Sequence, residues 1–106
     1  MAWVDLVAAD DVKPGHVRKV VIGDLALSVV NCQGDFFVVD DTCTHEDYSL
    51  SEGEVFEDLC EIECPKHASS FSLSTGEPTC LPATRPVRVY PVRVEGGRVE
   101  ADVEQG

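Results

Sequence analysis

Cys43-Thr44-His45 and Cys64-Pro65-Lys66-His67 are the two stretches on which this chain turns. Together they spell C-x-H, eighteen intervening residues, then C-x-x-H. Each offers one thiolate and one imidazole. Two Cys and two His within 25 residues suffice to complete one metal centre. Read from residue types alone, three possibilities stand. Ordinary buried thiols beside surface histidines would need no metal, but two matched Cys/His sets count against coincidence. A Cys₂His₂ zinc site is the second, yet zinc fingers commonly keep like ligands together, and here each stretch is mixed. The third is a two-iron cluster in which two Cys hold one iron and two His the other. Mixed loops suit it, because each can reach both irons.

Working outward, the chain reads as short strands separated by turn signals, with no convincing helix. Trp3 to Val7 is a first strand, and Asp10 to Gly15 a loop. Val17 to Ile22 and Leu25 to Val30 flank Gly23-Asp24, a hairpin signature. Phe36 to Val39 precedes the first ligand loop. Val55 to Glu63 reads as one strand that delivers the second, with Cys60, Ile62 and Cys64 on one face by period two. Phe71 to Leu73 is short. Val87, Val89, Val92 and Val94 alternate with polar residues. A turn at Glu95-Gly96-Gly97-Arg98 leads into Val99 to Val103. No repeat, linker or low-complexity block interrupts residues 1–106, so the chain reads as one all-β domain: an antiparallel sandwich of stacked sheets with two projecting loops.

Composition narrows the function. The 106 residues are 43% hydrophobic, enough for one modest core, and a bound metal centre would add to a thin stability margin. Twenty acidic residues against eight basic ones give a net charge of −12. That argues against nucleic acid and anionic membrane surfaces as partners; its plainest reading is solubility, and it also suits steering toward a basic protein. No apolar run is long enough to span a bilayer, and the first residues lack a signal-peptide pattern. Five cysteines fit poorly with a fully paired disulfide scaffold, so the chain reads as cytoplasmic, with its cysteines as ligands or buried thiols.

At the ligand pairs the sequence resembles the Rieske iron–sulfur family, whose motif is C-x-H, a spacer, then C-x-x-H. Glu46-Asp47, Ser49-Leu50, Glu52-Gly53 and Thr75-Gly76-Glu77 extend the match, which covers nearly the whole chain. The resemblance implies one [2Fe–2S] cluster, with Cys43 and Cys64 on the inner iron. By the same resemblance His45 and His67 would bind the outer iron through Nδ1, leaving Nε2 near solvent. The spacer is slightly longer than in many bacterial members, and Ala68 stands where Gly is frequent after the second His.

The same resemblance bears on the potential. With two thiolates and two neutral imidazoles the site is neutral when oxidised, so reduction is easier than with four thiolates. Rieske centres span roughly −150 to +300 mV. Members that oxidise quinols carry an extra Cys in each loop, which pair as a disulfide; Tyr48 and Lys66 occupy those positions here. High-potential members also carry a Ser and a Tyr after the second His, whose hydroxyls bond to cluster sulfurs. Ser69 is present, but Phe71 replaces the Tyr. A low potential within the range follows.

The remaining candidates have plainer readings. Cys32 and Cys60 are expected as buried thiols. Cys80, beside Leu81-Pro82, is either a plain turn residue or part of a loop covering the cluster. His16 is an exposed loop residue, and Trp3 and Tyr90 are packing groups rather than electron relays. Glu52, Glu54, Glu57 and Asp58 form a solvated hairpin that could also orient a partner. The function implied is that of a monomeric one-electron carrier, not itself catalytic. It would pass electrons from an NAD(P)H-dependent flavoprotein reductase to a terminal oxygenase. An assembly-associated or redox-sensing Rieske protein is the alternative, and a structural zinc module a further one.

Overall fold

Leu25 to Val30 is apolar at nearly every position, the pattern of a strand covered on both faces. It becomes the centre of the molecule. The computed structural model describes residues 3–42, 48–65, 69–79 and 85–104. Its strands are β1 (Trp3–Ala8), β2 (Val17–Ile22), β3 (Leu25–Cys32), β4 (Asp35–Asp40), β5 (Val55–Phe56) and β6 (Glu61–Glu63). They continue with β7 (Ser70–Ser72), β8 (Val89–Tyr90), β9 (Val92–Glu95) and β10 (Arg98–Asp102). The described residues hold helix only as two single 3-10 turns, Ala9–Asp11 and Leu50–Glu52.

Three antiparallel sheets result, ordered β1-β10-β9, β2-β3-β4-β8 and β5-β6-β7. The middle sheet is built on two hairpins. Ile22 pairs with Leu25 around Gly23-Asp24, with Gly23 at φ +61°, and Cys32 pairs with Asp35 around Gln33-Gly34. Side-chain alternation along β3 and β4 then divides the interior into two cores. Leu27, Val29 and Val38 face Val7, Tyr90, Val99 and Ala101. Val30, Cys32 and Val39 face Leu50, Ile62, Phe71 and Leu73. The middle sheet thus carries one small sheet on each face, the expected stacked all-β architecture. The β1-β10-β9 sheet is closed by a two-pronged Arg98–Asp5 pair at 2.9 and 3.0 Å and by Arg93–Glu100 at 2.7 Å. Trp3 and Tyr90 pack as expected. Trp3 lies under the Arg93 guanidinium at 4.4 Å, and Tyr90 is buried with its hydroxyl on Asp40.

Two expectations are corrected. Val55 to Glu63 is not one strand. β5 and β6 form a hairpin, pairing Val55 with Ile62 and Phe56 with Glu61, and Cys60 sits in its turn at φ +49°. No Gly or Pro marks that turn, and the alternation of Cys60, Ile62 and Cys64 hides where it ends. Second, Cys32 and Cys60 are not separate thiols but a disulfide with Cα atoms 5.8 Å apart. It ties the end of β3 to the β5–β6 turn. Glu52, Glu54 and Asp58 are exposed, as expected of a solvated hairpin, and Glu57 is half-buried. Glu57 accepts hydrogen bonds from the Gln33 amide at 3.1 Å and, through its main-chain oxygen, from Gln33 Nε2 at 2.8 Å. His16 is exposed, as expected.

Candidate metal centre

The first ligand stretch lies between β4 and the Leu50–Glu52 turn, and its two limbs are closed together at the base. Thr42 bridges Ser49 in antiparallel fashion, and the Leu50 amide donates to the Asp41 carbonyl at 2.5 Å. Tyr48, just before the bridged Ser49, is exposed.

Asp41 is the hub of this closure. It is 1% exposed, and its carboxylate meets only donors. Ser28 Oγ, from the face of β3 that carries Val30 and Cys32, donates to Oδ1 at 2.8 Å, and the Ser51 amide on the returning limb donates at 2.9 Å. Lys19 Nζ on β2 lies 3.5 Å from Oδ2 and reaches Ser49 Oγ at 3.4 Å. The Asp41 amide is held on the Ala26 carbonyl at 3.0 Å. Burial pushes this carboxyl up. Hydrogen bonds from Ser49, Ser51 and Ser28 outweigh it and leave its pKa below the ordinary value, so the group is anionic.

The second stretch follows β6 directly. Cys64 is wholly buried, and its amide donates to the Ser69 carbonyl at 2.8 Å, joining the two ends of this stretch. Ser69 is itself buried, and Phe71 is wholly buried in the same core cluster as Cys64. Gly53 fixes the approach to this loop. A Cβ there would lie 1.7 Å from the Glu63 carbonyl oxygen, so only glycine lets the spacer pass against the residue preceding Cys64. Gly76 does the same on the other side, where a Cβ would meet the Val87 carbonyl at 2.1 Å. Both glycines entered the sequence reading only as parts of longer matching stretches.

Of the four candidate ligands, only Cys64 lies within the described residues. Cys43, His45 and His67 lie outside them, as do Glu46, Asp47, Lys66, Ala68 and the Cys80–Pro82 segment. The structure does place both ends of the first ligand loop, and Cys64 itself, beside the core between the middle sheet and β5-β6-β7. Asp41 escaped the sequence reading. An aspartate after an apolar strand looks like any strand terminus, and its partner Ser28 is 13 residues away.

Two loops closed at their bases, each bearing one Cys and one His, form the scaffold on which the comparisons bear. The Rieske [2Fe-2S] domain model matches residues 2–91. The chain belongs to the Rieske [2Fe–2S] domain family. Among curated relatives, it is 41% identical to the 3-phenylpropionate/cinnamic acid dioxygenase ferredoxin subunit of Escherichia coli K12, covering 90% of this chain and 88% of that one. Among solved structures, the ferredoxin of carbazole 1,9a-dioxygenase from Nocardioides aromaticivorans IC177 superposes with a TM-score of 0.89 at 31% identity. That match covers 95% of this chain and 97% of the other. A chain from a complex of reduced oxygenase and oxidized ferredoxin in carbazole 1,9a-dioxygenase gives 0.85 at 40% identity, covering 93% and 91%.

The expected likeness to ferredoxins of ring-hydroxylating oxygenase systems is therefore borne out, and with it the all-β Rieske fold. As a Rieske domain the protein carries one [2Fe–2S] cluster. Its residues fit that group. A buried Cys stands at the foot of one closed loop, the remaining Cys and both His lie within the two loops, and the donor set is mixed. No helix among the described residues is long and apolar enough to cross a membrane.

Proposed function

We propose that this protein is a stand-alone Rieske-type ferredoxin, a one-electron carrier that is not catalytic alone, with residues 1–106 acting as a single domain. Cys43 and Cys64 hold one iron, and His45 and His67 the other. The bound cluster supplies reversible one-electron chemistry, and the chain's residues set its charge and surroundings. Two thiolates and two neutral imidazoles leave the oxidised site neutral. The electron donor is an NAD(P)H-dependent flavoprotein reductase and the acceptor a terminal oxygenase, each meeting the monomer at the end where the His ligands lie. The observation that carries this reading is the extent of the match. The likeness to ferredoxin subunits runs nearly from end to end in both partners, 90% and 88% in one case and 95% and 97% in another.

A cytoplasmic setting is part of the proposal. The Cys32–Cys60 disulfide removes one ground for it, since two of the cysteines read as free thiols are paired. The potential is proposed to lie in the lower part of the Rieske range. Phe71 offers no hydroxyl where high-potential members have Tyr, and Ser69 is the one remaining donor of that pair.

Iron and acid-labile sulfide analysis of the purified protein tests the centre. The expected result is about two of each per chain, as a [2Fe–2S] core requires. A colourless protein holding one zinc would overturn it. Cys43→Ser and His67→Ala, each expected to abolish the cluster, test the ligand set. A redox titration is expected to place the midpoint below about +100 mV, well inside the family range.

A further inference from the structure

We infer that Asp41 is a positioning residue for the first ligand loop, and that its charge, shared with Lys19, is felt by the cluster. The inference rests on the assignment of Cys43 and His45 as ligands and goes beyond it. Asp41 stands two residues before Cys43 and is buried. Each of its polar groups ties one limb of the loop to something else. Its amide anchors the departing limb to Ala26, and its carbonyl takes the Leu50 amide of the returning limb. Oδ1 joins the returning limb, through the Ser51 amide, to Ser28 of the middle sheet. One side chain thus sets the spacing of both limbs and their height above the sheet. Main-chain bonds already hold the departing limb to Ala26 of β3 and the two limbs to each other; the Oδ1 bridge adds a tie from the returning limb to Ser28 of β3.

The chemistry at Oδ2 is separate. Lys19 Nζ, 3.5 Å away and half exposed, offsets part of the buried negative charge. Reduction would add one electron to a cluster held through Cys43, two residues along from Asp41. A fixed anion disfavours that electron, and a cation beside the anion relieves it. Neutralising Asp41 should make reduction easier, and neutralising Lys19 should make it harder.

The test uses the cluster-loaded protein and three variants. Asp41→Ala removes the Oδ1 bridge, so iron loss to a chelator, followed by the visible absorbance, is expected to accelerate about 10- to 100-fold. That is the scale on which groups supporting metal ligands act. Asp41→Asn keeps an acceptor oxygen for Ser28 and Ser51 and is expected to restore retention to near the native rate. Its midpoint potential should move positive, and that of Lys19→Gln should move negative. Opposite shifts carry the inference even if Asp41→Ala does not fold. Native retention in Asp41→Ala would overturn it, as would unchanged or same-direction midpoints in the other two. If the native protein holds no iron–sulfur centre, the ligand assignment itself has failed. If it holds one and the variants behave as native, only the role of Asp41 has failed.

Discussion

Gly53 shows how strictly one residue can govern a ligand loop. Its missing side chain leaves room for the Glu63 carbonyl, one residue before Cys64. Gly53→Ala must displace a main-chain oxygen rather than a flexible side chain. It is expected to cost at least about 1–3 kcal/mol, the usual range for overpacking, read as a lower denaturation midpoint. Faster cluster loss should accompany it, because the displaced strand is the one that carries Cys64. Tyr90 acts at the same scale through its proton. Burial, then its bond to Asp40 at 2.6 Å, pushes the hydroxyl up to about 12 from its ordinary 10. The folded state therefore binds this proton more tightly than the unfolded chain. The associated stability is present below pH 10 and is lost as pH rises from there toward 12. Unfolding free energies across that window should fall by about 2 kcal/mol in the native protein and by less in Tyr90→Phe.

Among the elements, the β5–β6 hairpin and its disulfide matter most. Cys60 leads through Glu61, Ile62 and Glu63 to Cys64, so the bond to Cys32 fixes the hairpin that presents the second ligand loop. It also encloses the whole first ligand loop within its 28-residue span. Removing it with Cys32→Ser and Cys60→Ser together should cost about 3–4 kcal/mol through chain entropy, measured by denaturant titration. An unchanged midpoint would show that the bond adds nothing to the fold. The strands were legible in sequence wherever hydrophobic period and turn residues agreed: Val17–Ile22 was read to the residue, and β3, β4 and β10 nearly so. The β5–β6 turn was not, since Glu57 to Cys60 hold neither Gly nor Pro and the left-handed residue there is a cysteine. The disulfide was hidden for a related reason. One sulfur ends a strand of the middle sheet and the other sits in the β5–β6 turn, 28 residues on, and an odd cysteine count argued against pairing.

For the molecule as a whole, charge dominates behaviour in solution. A net −12 on 106 residues gives a strongly negative surface, and Glu52, Glu54 and Asp58 are exposed on the spacer between the ligand pairs. Association with a basic redox partner should therefore be steered electrostatically. Stopped-flow transfer rates at limiting partner are expected to fall on the order of 10-fold or more between low and about 0.5 M salt. Rates indifferent to salt would mean that contact is governed by apolar surface instead. The sequence by itself determined the family, the cluster type and the all-β class. These follow from local facts: ligand identity and spacing, side-chain period, and Gly at tight turns. Tertiary structure alone decided the Cys32–Cys60 bond, the division of β5 from β6, the clearance at Gly53 and the clamp at Asp41. The bond, the clearance and the side-chain ties of the clamp join groups 10 to 28 residues apart, and the β5–β6 division turns on a left-handed Cys60 that no Gly or Pro announces, so spacing along the chain carries no record of them.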